Sequence, residues 1–294
     1  MCQAADTPLS AAHQQHDRHW RRYAYCYPVV SRRSGGLSIG INLNPDKVCN
    51  FDCVYCQVDR TESAEVRKVD LAVLKGELES LLDAAVNQSL FAQPPFDCLG
   101  PNERHIRDIA FSGDGEPTVF PRFEEAVRIA ADTKLAHNLR DTKLVLMTNG
   151  SALTKPKVRT ALRLFDESNG EIWVKLDAGT QAHFEMVNRP NHPLSHVMKN
   201  IIDTARVRPI VIQSLWMRSH DRQPPESEVR AFADRLNEIM SAGGQIKCVQ
   251  IYTVARRTAE THITALSRNE LNHVAAIIRD ATAAPIKTYH GAGG

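Results

Sequence analysis

From residue 37 onward, short apolar runs rich in β-branched residues alternate with amphipathic stretches, and this alternation limits the possible folds more than any other feature of the chain. The runs are 37–43 (LSIGINL), 108–111, 143–147 (KLVLM), 171–176 (EIWVKL), 210–215 (IVIQSL) and 246–252 (IKCVQIY). Helical patterns occupy 71–82, 122–135, 157–164, 194–207, 226–240 and 268–278. In the first of these, Leu71, Leu74, Leu78, Leu81 and Leu82 fall on one helix face. Short strands separated by helices form a parallel sheet through βαβ crossovers. The expected fold is α/β, a parallel-stranded partial (β/α)6-type barrel, with 285–289 as a further short strand. A doubly wound open sheet shares the pattern. In both arrangements ligands gather at the C-terminal ends of the strands.

The chain of 294 residues has room for one large domain of this kind. Residues 35–290 are read as that core and 1–34 as a polar, basic N-terminal arm carrying Arg18, Arg21, Arg22, Arg32 and Arg33. With 43% hydrophobic and 24% charged residues, the composition is that of an ordinary soluble globular protein. A net charge of +2 gives no independent argument for nucleic acid. No apolar run nears the roughly 20 residues that span a bilayer, and the N-terminus has no apolar signal core. A cytoplasmic chain with no membrane partner is expected, where thiols stay reduced.

Three of the seven cysteines, Cys49, Cys53 and Cys56, crowd into a C-x3-C-x2-C segment straight after the first strand. An odd count with such crowding argues against a disulfide framework. Three thiolates on one loop suit an iron–sulfur cluster, zinc or Cu(I). A four-iron cubane with three thiolates keeps one iron open. Structural zinc needs a fourth ligand, which Cys26 or His105 would have to supply. Cys248 lies in an apolar strand and reads as core; no second C-x-x-C suggests another cluster.

This spacing, with the aromatic Tyr55 before the third cysteine and the loop opening a β/α series, resembles the radical S-adenosylmethionine (radical SAM) superfamily over residues 37–252. The resemblance implies a [4Fe–4S] cluster on Cys49, Cys53 and Cys56 and S-adenosylmethionine as cofactor. It implies reductive cleavage to a 5′-deoxyadenosyl radical acting on an unassigned small molecule, peptide or RNA. An external flavodoxin- or ferredoxin-like electron donor is expected. Gly113-Asp114-Gly115-Glu116 resembles the family's Gly-Gly-Glu motif, which holds the methionine amino group, with Asp114 in place of a common Gly. Asn149 closes the third strand, Lys175 and Asp177 close the fourth, where the family often places polar ribose or carboxylate contacts, and Gln213 lies near the end of the fifth. Residues 249–252 would line the adenine. At each of these positions a turn or helix cap is the competing reading. The stretches Gly-Ile-Asn-Leu-Asn-Pro and Cys-Val-Tyr-Cys-Gln-Val-Asp-Arg, the latter ending at Arg60, most resemble an Fe–S oxidoreductase branch distantly similar to tRNA wybutosine-synthesising enzymes. Two other classes remain open from the residues alone: a zinc-stabilised binding protein without catalysis, and an electron-transfer Fe–S protein.

Overall fold

The computed structural model describes residues 20–256 and 258–291. Residues 1–19 of the expected arm, with Cys2 and Arg18, lie outside them. Among the described residues the strands are β1 (Cys26–Ser31), β2 (Gly36–Ile41), β3 (Ile106–Phe111), β4 (Lys143–Thr148), β5 (Gly170–Lys175), β6 (Ile210–Leu215), β7 (Met217–Ser219), β8 (Ile246–Tyr252), β9 (Ile263–Ala265) and β10 (Ile286–Tyr289). The α-helices are α1 (Leu71–Val86), α2 (Phe123–Ala136), α3 (Pro156–Glu167), α4 (Gln181–Asn188), α5 (Leu194–Ala205), α6 (Glu226–Ser241) and α7 (Arg268–Ala281).

One eight-stranded sheet runs β1-β2-β3-β4-β5-β6-β8-β10 and curls into a half-barrel, while β7 and β9 form a separate antiparallel ribbon. From β2 onward every pairing in the large sheet is parallel, and each strand joins on the same side as its predecessor. A doubly wound sheet reverses its strand order at a switch point. No reversal occurs here, so of the two arrangements the partial barrel is the one formed.

The period-2 alternation of the strands sorts the side chains by face. Ile109, Phe111, Leu144, Leu146, Ile172, Val174, Ile210, Ile212, Val249 and Ile251 point to the helices and join Leu74, Leu78, Val127, Leu162 and Leu236 in the main core. The opposite set, Ala110, Val145, Trp173, Val211 and Cys248, packs on the concave side. Leu78 is wholly buried, so Leu78→Ala would cost about 2–5 kcal/mol.

Among the described residues β1, α4 and the β7–β9 ribbon depart from the sequence reading. Residues 26–31 lie in the stretch read as irregular but form β1, antiparallel to β2. Pro28 argues against a central strand, yet an edge strand tolerates it, since a missing N–H there breaks no ladder on the free side. The second departure is α4, a short helix between β5 and α5 whose Thr180 cap accepts a hydrogen bond from the His183 N–H.

The turn between β1 and β2 spans the open side of the half-barrel. Arg32 donates from Nη1 to the carbonyl of His290, just beyond β10. The two edges of the sheet, which pair with nothing across the gap among the described residues, are thereby tied by a side chain.

Candidate active site

The cysteines sit in the long loop between β2 and α1, a segment with little regular structure of its own. Backbone hydrogen bonds to other parts of the fold give it shape. Val54 N–H donates to Val187 O (2.9 Å) and Asp52 N–H to Asn188 O (3.2 Å), which fastens the loop to the end of α4. Phe51 forms a bridge with Pro190 and packs edge-on to Phe184 at 5.6 Å. Cys56 N–H donates to Cys53 O (2.9 Å), and Ala259 N–H to Cys56 O (3.0 Å). Cys49, Cys53 and Cys56 line one cavity of about 330 Å³ at the strand ends, within the usual size range of small-molecule sites.

Two sulfurs have N–H donors at hand. Asn188 Nδ2 lies 3.4 Å from the Cys53 sulfur, and Arg60 Nη1 lies 3.2 Å from that of Cys56. Burial pushes the Cys53 thiol up to about 12 and raises that of Cys49. Without a metal these are neutral thiols; a bound metal deprotonates the thiols that coordinate it. Soft sulfur donors with N–H groups directed at them fit an iron–sulfur cluster. The fourth ligand that zinc would need is not supplied by the two candidates from the sequence. Cys26 is buried in β1 and points its sulfur at Leu74 O (3.7 Å). The carbonyl of His105 pairs with Leu37, at the start of β2 and away from the cysteine loop.

The glycine-rich loop after β3 packs against this segment. A Cβ on Gly115 would fall 2.1 Å from Val48 O, and one on Gly113 would fall 2.3 Å from Asn42 Oδ1. Both positions therefore require glycine to let the two loops meet, and both line the cavity. The Asp114 carboxylate instead accepts from Asn42 Nδ2 at 2.6 Å, and Asp114 is not part of the cavity wall. Glu116 lines the wall and is buried. Its Oε1 accepts from Thr118 N–H (3.1 Å), Thr118 Oγ1 (2.5 Å) and Thr148 Oγ1 (2.6 Å), and its Oε2 from Asn149 N–H (2.6 Å). Glu116 thus caps the short turn of helix at Pro117–Val119 and also ties the loops after β3 and β4 together. Burial raises its pKa, with these hydrogen bonds pulling the other way. Asn149 Nδ2 continues the chain of contacts to Asn50 Oδ1 (2.8 Å), between Cys49 and Cys53.

Strand register sets a polar row across the concave face: Lys175 is opposite Gln213, and Gln213 opposite Gln250. Gln213 Nε2 donates to Gln250 Oε1 at 2.9 Å. Lys175 Nζ donates to Tyr252 Oη (2.7 Å), pairs with Asp177 Oδ1 (2.9 Å), and lies 4.7 Å from the Tyr55 ring centre. Burial works to lower the pKa of this ammonium; Asp177 and Tyr252 outweigh it and hold it above the ordinary lysine value. Tyr55, Asn149, Lys175, Gln213 and Tyr252 all line the cavity. Asp177 stands behind the wall, accepting from Tyr55 Oη (2.5 Å), Asn188 Nδ2 (3.0 Å) and Leu215 N–H (2.8 Å). The sequence reading did not single out Asn188 or give Arg60 a role. Asn188 reaches Cys53 across 135 residues and leaves no local pattern. Arg60 follows Cys56 by four residues and was the more findable.

The fold and site are thus a half-barrel with three cysteines on the loop after its first parallel strand, lining one cavity with a glycine-rich loop after the second. The Radical SAM superfamily model matches residues 43–227. The chain belongs to that superfamily. Among curated relatives, a protein named GTPase Obg from Brachyspira hyodysenteriae is 25% identical over 83% of this chain and 32% of its own length. A UPF0026 protein of Helicobacter pylori is 28% identical over 61% of this chain and 51% of its own. The chain therefore spans about a third and about half of these two relatives. No Gly-Lys pair occurs in the sequence, so the matched stretch holds no G-x-x-x-x-G-K-[ST] phosphate-binding loop. A solved structure of TYW1 with a lysine–pyruvate adduct bound shares the fold, with a TM-score of 0.53 at 12% identity over 84% of this chain and 74% of that one. Among the described residues no helix is long and apolar enough to cross a membrane.

Proposed function

We propose that Cys49, Cys53 and Cys56 hold a [4Fe–4S] cluster and that the chain reductively cleaves S-adenosylmethionine to make a radical that acts on a substrate in the same cavity. The carrying observation is that the three cysteines, Gly113, Gly115, Glu116, Asn149, Lys175 and Gln213 share one cavity at the strand ends. When bound, the cluster supplies the single electron that breaks the carbon–sulfur bond of the cofactor. In a cubane each cysteine binds its own iron, so the three sulfurs need not converge on a point. Among the described residues no three His, Cys, Asp or Glu side chains form a ligand set for a single ion.

The chain's own residues place and shield the reactants. Arg60 and Asn188 direct N–H groups at Cys56 and Cys53. Glu116 Oε2, with one donor from the protein, keeps room to accept from the cofactor's amino group. Lys175 is read as a fixed charge rather than a nucleophile, because Asp177 holds it as an ammonium. This argues against carrying over the lysine–pyruvate chemistry named for the TYW1 structure. An external flavodoxin- or ferredoxin-like donor would supply the electron, in a reducing, cytoplasmic setting.

The test is anaerobic reconstitution with iron and sulfide, then dithionite and S-adenosylmethionine. Formation of 5′-deoxyadenosine is the expected result. Zinc without iron or sulfide would point to a binding protein, and a cluster that leaves the cofactor intact would point to an electron carrier.

A further inference from the structure

The charged residues lining the cavity are Arg32, Arg33, Lys175 and Arg256 against one carboxylate, Glu116. Thr118, Thr148 and Asn149 already bond Glu116, and Asp177 neutralises Lys175. Positive charge is thus left over, and its least committed holder is Arg33. The Arg33 guanidinium lies 5.0 Å from the Tyr252 ring centre and 5.9 Å from that of Trp173. It is close enough to the buried Asp108 carboxylate to feel its charge, but that acid is already bonded by Ser38 and does not line the cavity. A cation over two aromatic faces keeps its charge while losing part of its water, and its N–H edge stays available. Arg32 is beside it on the same turn, held by the carbonyl of His290. The turn crosses from one edge of the half-barrel toward the other, and both arginines line the cavity, Arg33 beside the last residue of β8 and Arg32 beside the residue after β10. The cysteines face it from the C-terminal ends of the strands.

We infer that Arg32 and Arg33 form an oxyanion subsite, and that the substrate carries a carboxylate or phosphate that docks there. The substrate's other end then faces the cysteine loop. As a statement about substrate this rests on the radical SAM reading above. Arg33 supplies the planar fork that pairs with two oxygens at once, and Arg32 adds charge alongside.

The test titrates inorganic phosphate and malonate, separately, into the purified 294-residue chain by calorimetry. The expected result is that at least one binds, and that Arg33→Gln weakens it roughly tenfold or more, the loss expected for a charge-assisted pair. Arg33→Lys should recover part of the affinity, because it keeps the charge and loses the fork. Should Arg33→Gln fail to fold, Arg33→Lys alone carries the test through a severalfold loss. Tighter phosphate binding assigns a phosphate-bearing substrate, and tighter malonate binding a carboxylate. The inference is overturned if wild type binds neither probe, or if the variants bind as wild type does. It is also overturned if S-adenosylmethionine displaces the probe from the cluster-loaded chain, since the arginines would then serve the cofactor's own carboxylate. Wild type that makes 5′-deoxyadenosine but binds neither probe would sink only this subsite. Probe binding without 5′-deoxyadenosine would sink only the radical reading.

Discussion

Two acids on the concave side of the sheet are each paired with lysine, and they differ in what surrounds them. Near the strand starts, Glu171 accepts from Lys143 (2.5 Å), Lys247 (2.7 Å) and Trp173 Nε1 (2.8 Å). Both lysine side chains are about half exposed, at 43% and 54%. At the strand ends Asp177 is wholly buried, and Lys175 is exposed by only 18%. The donors to Asp177 come from the cysteine loop, the last residue of β6 and the end of α4. The floor pair is screened by water and holds neighbouring strands in register. The mouth pair is desolvated and adds side-chain bonds between segments that backbone contacts also hold together. Charge at the floor is cheap and replaceable, whereas charge at the mouth is costly to desolvate and positions the site.

The contrast is most easily broken at the cysteines. Cys49→Ala, Cys53→Ala or Cys56→Ala should each cut the iron content of reconstituted protein to roughly a tenth or less, as each thiolate would hold its own iron in the proposed cluster. Cys248→Ala on the concave face should leave it unchanged; iron lost from that variant instead would move the ligand assignment to the floor. Next comes Asp177→Asn, which strands the buried Lys175 ammonium and should cost about 3–5 kcal/mol in denaturant unfolding. A cost near zero would mean that the mouth pair is as screened as the floor pair. Glu116→Gln takes the charged acceptor from Asn149 N–H and Thr148 and should cost about 1.5–3 kcal/mol. Glu171→Gln should cost about 1 kcal/mol or less, since its partners reach water.

The floor acid also carries a pH signature. Burial works to raise the Glu171 pKa, but Lys143, Lys247 and Trp173 outweigh it and bring it below the ordinary 4.5. A lowered folded-state pKa adds stability that is present above the unfolded value and lost as pH falls through the folded one. Wild type and Glu171→Gln should therefore converge in stability below pH 4.5 and separate above it. A gap that widened on acidification would reverse the assigned sign.

The alternation of apolar runs made the barrel legible because strand and helix periods are local properties. Pro28 beside a basic turn hid β1, since only its place at the sheet edge makes that proline harmless. The cysteine spacing and the glycine pair were equally local, and Tyr55, Asn149, Lys175 and Gln213 were found as strand-end or loop polar residues. The sequence could not tell which side of the wall a side chain would take. Asp114 turns to Asn42 and Asp177 stands behind Tyr55, because tertiary hydrogen bonds decide both. Asn188 was invisible for the same reason, and Arg33 read as part of a solvated arm until the turn that carries it closed over the concave face.

The stitching of the cysteine loop has a consequence for the order of events during synthesis. Domains are made from the N-terminus onward. Cys53 therefore leaves the ribosome well before Asn188, its donor 135 residues later, and before the end of α4 to which Val54 is fastened. Until α4 emerges, the three thiols belong to an unanchored stretch of nascent chain, open to stray metals and oxidants. For the cluster proposed above, delivery would be best timed to the seating of that stretch, and iron loaded earlier would meet a loop not yet fastened to α4.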